Sequence, residues 1–222
     1  MNRKAAASKS ERHHARENAF LLAAEELFAQ AGYTQTSMEQ IAERAKTATG
    51  TIYLYFSSKE HLYAELLNRK LRECRRLLEQ RLDDASSSEE RLSILLATKI
   101  EFFQRNQAFL RLYVSELGQR APVRSCIPPA CETTYLALKN VLVRVFERGV
   151  AEGEFQPHPP EVLASAFIGL TNQVLIDFLA SPSKKEVPIQ RCLLDILQRG
   201  FLRKPRLARR SRPRHHTLLK NP

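Results

Sequence analysis

Residues 49–56, Thr-Gly-Thr-Ile-Tyr-Leu-Tyr-Phe, bring together side chains that can contact another molecule. If this stretch is a helix, Ile52 and Phe56 lie on one face and can anchor it to a core. The opposite face consists of small, hydroxylated and apolar residues, namely Gly50, Thr51, Leu54 and Tyr55. A solvated helix face would normally carry Lys, Glu or Gln there. We therefore expect this face to bind a partner.

The neighbouring elements indicate which partner this face would meet. Apolar residues at helical spacing predict a helix over about 11–31, and the capping pair Ser37 and Gln40 begins a short helix over 37–45. A three-residue turn joins that helix to residues 49–56. Two short helices after a longer one are typical of a helix-turn-helix unit, whose second helix enters the major groove of DNA.

The residue types of this unit suit DNA. Threonine hydroxyls bond base edges, an apolar side chain meets a thymine methyl, and tyrosine, lysine and helix N-termini hold phosphates. The predicted DNA-binding residues are Thr36, Ser37, Lys46, Thr47, Thr49, Gly50, Thr51, Tyr53, Leu54, Tyr55 and Lys59.

Residues 23–67, AAEELFAQAGYTQTSMEQIAERAKTATGTIYLYFSSKEHLYAELL, resemble the DNA-binding domain of the TetR family of bacterial transcriptional regulators. The resemblance includes the aromatic near the end of the first helix, Gly32-Tyr33, Thr36, and the IAERA, GTIYLYF and SKE segments. Residues 148–175 are similar to the link between the seventh and eighth helices of that family. The resemblance implies a homodimeric, all-helical repressor with a ligand pocket in its C-terminal domain.

The sequence departs from the family pattern at two places. Lys46-Thr47-Ala48-Thr49 stands where the family often has Gly-Val-Ser followed by Lys or Arg. Thr49 therefore lacks the usual basic group, and we expect Lys46 to replace that contact in part. Tyr55 stands where His is usual, and its hydroxyl still offers a phosphate donor.

Charge is distributed unevenly along the 222 residues, whose net charge is +11. Residues 203–222 hold eight Lys or Arg and no acid, and residues 1–16 hold five against one acid, which leaves residues 17–202 with a net charge of −1. Basic ends fit a polyanion, nucleic acid first and an anionic membrane second, although solvated tails are the simpler alternative.

The rest of the chain also reads as helix. Ser57 and Glu60 form a capping box for a helix to about residue 82, and further helices are predicted over about 88–105, 107–118, 129–152, 160–180 and 188–203. The predicted fold class is all-α with about nine helices. The predicted organisation is a basic arm (1–10), a helix-turn-helix domain (11–57), a ligand-binding and dimerisation domain (58–203) and a basic, disordered tail (204–222).

Two sets of apolar residues in the C-terminal part suggest separate roles. Helix 160–180 is apolar on more than one face, so we expect a two-fold four-helix interface in a homodimer. Its predicted residues are Phe167, Leu170, Val174, Phe178, Leu193, Ile196 and Leu197. The candidate lining of a pocket for a small apolar ligand is Leu71, Cys74, Phe103, Phe109, Tyr113, Tyr135 and Asn172. No basic cluster here indicates a phosphorylated or coenzyme A ligand.

Other classes of protein find little support. The sequence lacks a nucleophile elbow, a P-loop, dinucleotide-binding glycines and metal-ligand spacing, so we expect no enzyme, cofactor or metal. Cys126 and Cys131 are either a redox pair or two unrelated thiols. No apolar run reaches 18 residues and the N-terminus has no secretory apolar region, so a cytoplasmic protein without a membrane partner is expected. The alternatives are a sequence-tolerant architectural DNA-binding protein and an activator of the same fold.

Overall fold

The computed structural model describes residues 2–109, 128–179 and 188–203, with side chains from residue 10 to 109, 128 to 178 and 188 to 203. Within these ranges the protein is helical, which confirms the all-α prediction, and it contains no strand beyond one isolated antiparallel bridge, Phe155–Leu202. The helices are α1 (Asn2–Ala31), α2 (Met38–Arg44), α3 (Thr49–Ile52), α4 (Lys59–Leu82), α5 (Ser88–Arg105), a 3-10 helix (Pro129–Cys131), α6 (Glu132–Ala151), α7 (Pro160–Leu179) and α8 (Ile189–Phe201).

The described residues form two hydrophobic clusters, and α4 belongs to both. The first cluster unites α1, α2 and α3 with Leu62 and Leu66 of α4. The second unites α5 to α8 with Leu67 and Leu78 of α4. A helix of 24 residues is about 36 Å long. One continuous helix therefore joins the N-terminal bundle to the larger C-terminal bundle.

The first helix is longer than predicted. It begins at Asn2 rather than near residue 11, so residues 2–10 continue it instead of forming a separate arm. Its end is as expected, because Gly32 adopts φ +84° and donates its N–H to the carbonyl of Phe28 at 2.9 Å. This is the left-handed stop that glycine permits at a helix C-terminus.

The third helix is shorter than predicted. Regular α-helix covers Thr49–Ile52 only, and the chain then turns through residues 53–55. Leu54 and Tyr55 donate their N–H groups three residues back, to Thr51 at 3.2 Å and to Ile52 at 3.0 Å. This tighter hydrogen bonding continues the helical path for one turn beyond α3.

The start of α4 differs from the predicted capping box. Ser58, not Ser57, is the N-cap, and its hydroxyl accepts the N–H of His61 at 3.2 Å. The N–H of Ser57 in turn donates to Nδ1 of His61 at 3.2 Å. His61 takes the place predicted for Glu60, whose carboxylate instead accepts the hydroxyl of Tyr33 at 3.0 Å.

The end of α6 is fixed by a close approach that only glycine allows. Gly149 accepts the N–H groups of Glu154 and Phe155 at 2.9 and 3.0 Å. A Cβ at Gly149 would lie 2.2 Å from the ring of Phe155. The following segment pairs with the end of α8, where the N–H of Arg203 reaches the carbonyl of Glu154 at 2.7 Å.

Helix α7 keeps much of its apolar surface uncovered. Only 28% of Pro160–Phe178 is buried within the chain, and this stretch has the length and composition that a membrane-crossing helix needs. Length and composition alone do not distinguish such a helix from one that packs on another protein surface, and the absence of a membrane span stays a prediction. Val162 on α7 and Ile196 on α8 are more than half exposed.

The predicted dimer interface needs one correction. Phe167, Leu193 and Leu197 are buried in the core of the single chain and are not available to a partner. The reason is that α7 and α8 pack on other helices of their own chain through these residues. The remaining predicted residues keep accessible surface, namely Leu170, Val174, Phe178 and Ile196.

Candidate nucleic-acid interface and ligand cavity

The turn between α2 and α3 is a Schellman motif with an unusual residue in it. The N–H of Thr47 reaches the carbonyl of Ala42 and that of Lys46 reaches the carbonyl of Glu43, both at 2.9 Å. This motif requires a left-handed residue, commonly glycine, and Lys46 occupies that place with φ +55°. The exposed Lys46 side chain is thereby presented beside α3.

The two faces of residues 49–56 differ in solvent exposure as their residue types predict. Ile52 and Phe56 are buried in the first hydrophobic cluster. Leu54 is 81% exposed and Tyr53 46% exposed, which makes Leu54 a large apolar side chain held out into solvent. Thr49 and Thr51 are half-buried, and Gly50 is exposed beside them.

Tyr55 is supported by a residue that the sequence reasoning missed. Its ring lies 5.4 Å from that of Phe20 and 4.4 Å from that of His13, both on α1. His13 precedes Phe20 by seven residues, which is two helical turns, and this spacing could have revealed their shared face. His13 therefore extends the surface of residues 49–56 along α1.

Two residues predicted to bind DNA, Thr36 and Lys59, form hydrogen bonds within the protein. Thr36 is 2% exposed, and its hydroxyl donates to the carbonyl of Gly32 at 2.9 Å, so its side chain does not reach the surface. Lys59 donates to the carbonyls of Tyr33 at 2.9 Å and Thr36 at 2.8 Å, and its ammonium lies 4.5 Å from the Tyr33 ring centre. Lys59 thus ties the loop after α1 to α4, and a phosphate contact from it stays a prediction.

Local hydrogen bonds also engage two further predicted residues. Ser37 forms the expected capping box with Gln40. The hydroxyl of Ser37 accepts the N–H of Gln40 at 3.3 Å, and the N–H of Ser37 donates to the side-chain oxygen of Gln40 at 2.8 Å. Thr47 donates its hydroxyl to the carbonyl of Ala42 at 3.4 Å. Tyr53, Ser37 and Lys59 line one open cleft where α2 and α4 begin.

A cavity of about 110 Å³ lies between α4, α5, α6 and α7. Six of the seven residues predicted to line a pocket are brought together around it, namely Leu71, Cys74, Phe103, Phe109, Tyr135 and Asn172. The seventh, Tyr113, lies outside the described residues, as do Cys126 and most of the predicted helix 107–118.

The cavity wall also holds three lysines that the sequence reasoning missed. Lys70, Lys99 and Lys139 all line it, whereas the sequence analysis singled out no basic residue in this part of the chain. The signal was present in the spacing: Lys99 lies four residues after Leu95 and four before Phe103, on an apolar helix face.

Lys99 is the most unusual of these groups. Its ammonium donates to the hydroxyl of Thr171 at 2.6 Å and lies 3.5 Å from the carbonyl of Ile168. Loss of water around it lowers the pKa of Lys99 from its ordinary value to about 7. Burial likewise raises the pKa of the neighbouring Cys74 thiol to about 11, so that thiol is protonated at neutral pH.

Lys70 links the cavity wall to the N-terminal bundle. Its ammonium pairs with the carboxylate of Glu25 on α1 at 2.9 Å, and both side chains are buried. It also donates to the side-chain oxygen of Asn106, just after α5, at 2.5 Å. A buried ion pair therefore lies where α1, α4 and α5 meet.

Known proteins are similar to this chain along most of its length. Residues 20–66 match the family model described as "Bacterial regulatory proteins, tetR family". The chain is 26% identical over 186 residues to the fatty acid metabolism regulator protein of Bacillus subtilis, covering 81% of this chain and 92% of that protein. It is 29% identical over 161 residues to the transcriptional repressor KstR2 of Mycolicibacterium smegmatis, covering 72% and 78%.

A solved structure has the same fold. The transcriptional regulator FadR from Bacillus subtilis in complex with stearoyl-CoA superposes with a TM-score of 0.70 at 21% identity, covering 82% of this chain and 97% of that one. The helix-turn-helix geometry, the matched family model and these relatives agree. Residues 20–66 are a DNA-binding domain of the tetR family of bacterial regulatory proteins, and the relatives that match most of the chain are named transcriptional regulators.

Proposed function

We propose that the protein is a homodimeric repressor that binds a palindromic operator through residues 49–56 and is released by an apolar small molecule. The observation that carries this proposal is the double role of α4. Its first turns, through Leu62 and Leu66, hold the core of the DNA-binding unit, whereas Leu71 and Cys74 line the cavity. A ligand that shifts α4 therefore shifts the recognition element.

We propose that the exposed side of residues 49–56 recognises the base sequence of the operator. Leu54, whose side chain is largely exposed, would meet a thymine methyl, and the hydroxyls of the half-buried Thr49 and Thr51 would bond base edges. Lys46 and the hydroxyl of Tyr53 flank them as phosphate contacts, which orient the protein without reading sequence.

A second copy of the chain is proposed to cover α7 and α8. The uncovered apolar surface of α7 and the exposed Ile196 on α8 form the surface for this contact. Two-fold packing would place two recognition elements on one duplex, and half-sites one helical turn apart are separated by about 34 Å.

Coupling between the sites is proposed to run through Lys70. This residue lines the cavity while its ammonium holds Glu25 of α1. A ligand that moves this part of α4 disturbs a buried pair, and the DNA-binding unit then changes its angle. By linkage the ligand binds free protein more tightly than DNA-bound protein by the factor with which it weakens DNA binding, typically about 1–3 kcal/mol.

The relatives support an apolar ligand. One is named a fatty acid metabolism regulator, and the solved FadR structure holds stearoyl-CoA, whose acyl chain is apolar. The cavity here is lined largely by leucine and phenylalanine. KstR2, which matches 72% of this chain, is named a repressor, whereas FasR of the same organism, which is named an activator, matches 49% of it.

The decisive experiment selects the bound DNA from a random library and then compares the selected duplex with a scrambled one at about 150 mM salt. A repressor of this kind should prefer its palindrome by roughly 10³ or more. Sedimentation without detergent, measured on the same sample, should give a dimer. Equal affinity for both duplexes, with strong salt dependence, would reject the proposal in favour of an architectural DNA-binding protein.

A further inference from the structure

Most side chains on the cavity wall are apolar. One exception is Lys99, whose ammonium has no anionic partner among the described residues. Lys99 reaches the cavity from α5 between leucine and phenylalanine side chains. Among the described residues its ammonium has only neutral partners, the Thr171 hydroxyl and the Ile168 carbonyl. An ammonium in apolar surroundings is costly unless an anion accompanies it.

Thr171 holds that ammonium in a fixed place. The Thr171 hydroxyl donates to the carbonyl of Phe167 at 2.5 Å, so its oxygen is free to accept from Lys99. The ammonium also lies 5.7 Å from the ring centre of Phe167. These contacts orient Lys99 between α5 and α7 without neutralising its charge.

The other ionisable groups on the cavity wall do not supply an anion. Lys70 on α4 is engaged by Glu25, and Lys139 on α6 has the same charge as Lys99. Burial raises the pKa values of Cys74 on α4 and Tyr135 on α6, which keeps both groups neutral. Helix α7 contributes the neutral side chain of Asn172 as its polar group. Every titratable side chain that the described residues contribute to the cavity wall is therefore either positively charged or neutral.

We propose that the cavity binds a small amphiphilic acid, an apolar chain ending in a carboxylate, and that this carboxylate pairs with the ammonium of Lys99. The inference rests on the proposed function, in which this cavity is the regulatory site. A thioester carbonyl is neutral and gains little from a cation, and the phosphates of a coenzyme A ester suit an exposed basic surface. The free acid is the form that matches Lys99.

The pH dependence of binding has a definite sign. The pKa of Lys99 in the free protein is about 7, so the ammonium is lost as pH rises above that value. The bound carboxylate stabilises the charged form, and binding above pH 7 must take up a proton. Affinity for the acid should therefore be steady between about pH 5.5 and 6.5 and should then fall by up to about tenfold per pH unit.

The test uses full-length protein and two matched probes, octanoic acid and octan-1-ol, titrated calorimetrically at pH 6.5 and 8.5. At pH 6.5 the acid should bind on the order of 30-fold more tightly than the alcohol. Lys99→Met should remove this difference and leave the affinity for the alcohol unchanged, because the methionine keeps the apolar volume. Lys139→Met is the matched control and should keep the preference for the acid. Thermal unfolding confirms that both variants fold.

Several outcomes would overturn the inference: equal affinity for acid and alcohol, binding of neither, or loss of the preference in Lys139→Met but not in Lys99→Met. Tighter binding of octanoyl-CoA that is insensitive to Lys99→Met would overturn it as well. Operator release is measured separately. Acid binding through Lys99 without release of DNA would support this site while rejecting the ligand-responsive function.

Discussion

The exposed side of residues 46–55 and the cavity both contain residues whose backbone or side-chain surroundings are unfavourable, the first in water and the second in an apolar interior. On the surface, Leu54 is an apolar side chain in water and Lys46 is a left-handed non-glycine residue. In the cavity, Lys99 is a cation in apolar surroundings. Each of these features lowers the stability of the free protein, and binding of a partner with complementary chemistry would offset that loss. A duplex would cover the first, and an acid would neutralise the second.

The largest effect is expected at the joint between the two regions. Lys70→Met leaves the buried Glu25 carboxylate with only the more distant guanidinium of Arg69, at 3.9 Å, which should lower the free energy of unfolding by about 3 kcal/mol. Urea denaturation measures this loss. The matched control is the double variant Lys70→Met with Glu25→Leu, which replaces the whole pair by apolar groups and should recover most of the stability. The single variant Glu25→Leu is measured as well. If the double variant loses as much stability as the two single variants together, this pair does not hold the regions together.

A second prediction separates the cavity from the DNA-binding surface. Cys74→Phe places a ring on the cavity side of α4 while leaving residues 49–56 untouched. The ring should fill the site and bias the angle of α4, so operator affinity should change by an amount on the order of the coupling, about 1–3 kcal/mol, and release by octanoic acid should be lost. Binding assays and thermal unfolding are measured together.

Cys74→Ala is the control for Cys74→Phe, because it removes the thiol without filling the space. It should retain both operator binding and the response to acid. If a folded Cys74→Phe dimer keeps wild-type operator affinity and wild-type response, α4 does not couple the two regions.

A third prediction tests the surface alone. Leu54→Ala should relax the base preference at one or two operator positions and cost on the order of 1 kcal/mol, because the thymine contact is apolar and directional. Tyr53→Phe should instead weaken all sequences about equally, as expected for a phosphate contact. A library selection repeated with each variant shows which pattern holds. Uniform weakening by Leu54→Ala would remove this residue from base reading.

How much of this could be read from the sequence differs between the two regions. Residues 49–56 were informative because an exposed helix face without charged residues departs from the usual pattern, and Ile52 and Phe56 were placed in the core correctly. Six of the residues proposed as a pocket lining do lie around one cavity, and whether they bind a ligand stays a prediction. Helix ends were less predictable, since Ser57 and Ser58 are both possible caps and the choice depends on His61.

Residues whose roles depend on distant neighbours escaped prediction. Thr36 was predicted to bind DNA, but its buried hydroxyl donates to the carbonyl of Gly32. Lys70 resembles a solvated lysine in isolation, and only the packing of α4 against α1 brings it into the interior. Pairs such as Glu25 with Lys70 are 45 positions apart, and no local pattern connects them.

The smallest effect is expected at Lys46, where stability and DNA binding should change in opposite directions. Gly32 and Lys46 both adopt left-handed backbone at a helix end, with φ +84° and +55°, but only the first is glycine. A non-glycine residue in this conformation costs about 1–2 kcal/mol, while glycine adds roughly 0.4–1 kcal/mol of unfolded-state entropy. Lys46→Gly should therefore stabilise the protein by about 0.5 kcal/mol. It should also weaken binding to all duplexes severalfold and reduce the salt slope of binding by about one, because one cation is lost.

Lys46→Asn is the control, since asparagine tolerates the same backbone and also lacks the charge. It should reproduce the loss of affinity. If Lys46→Gly lowers stability, or leaves DNA binding and its salt slope unchanged, the strained lysine is not retained for the sake of a phosphate.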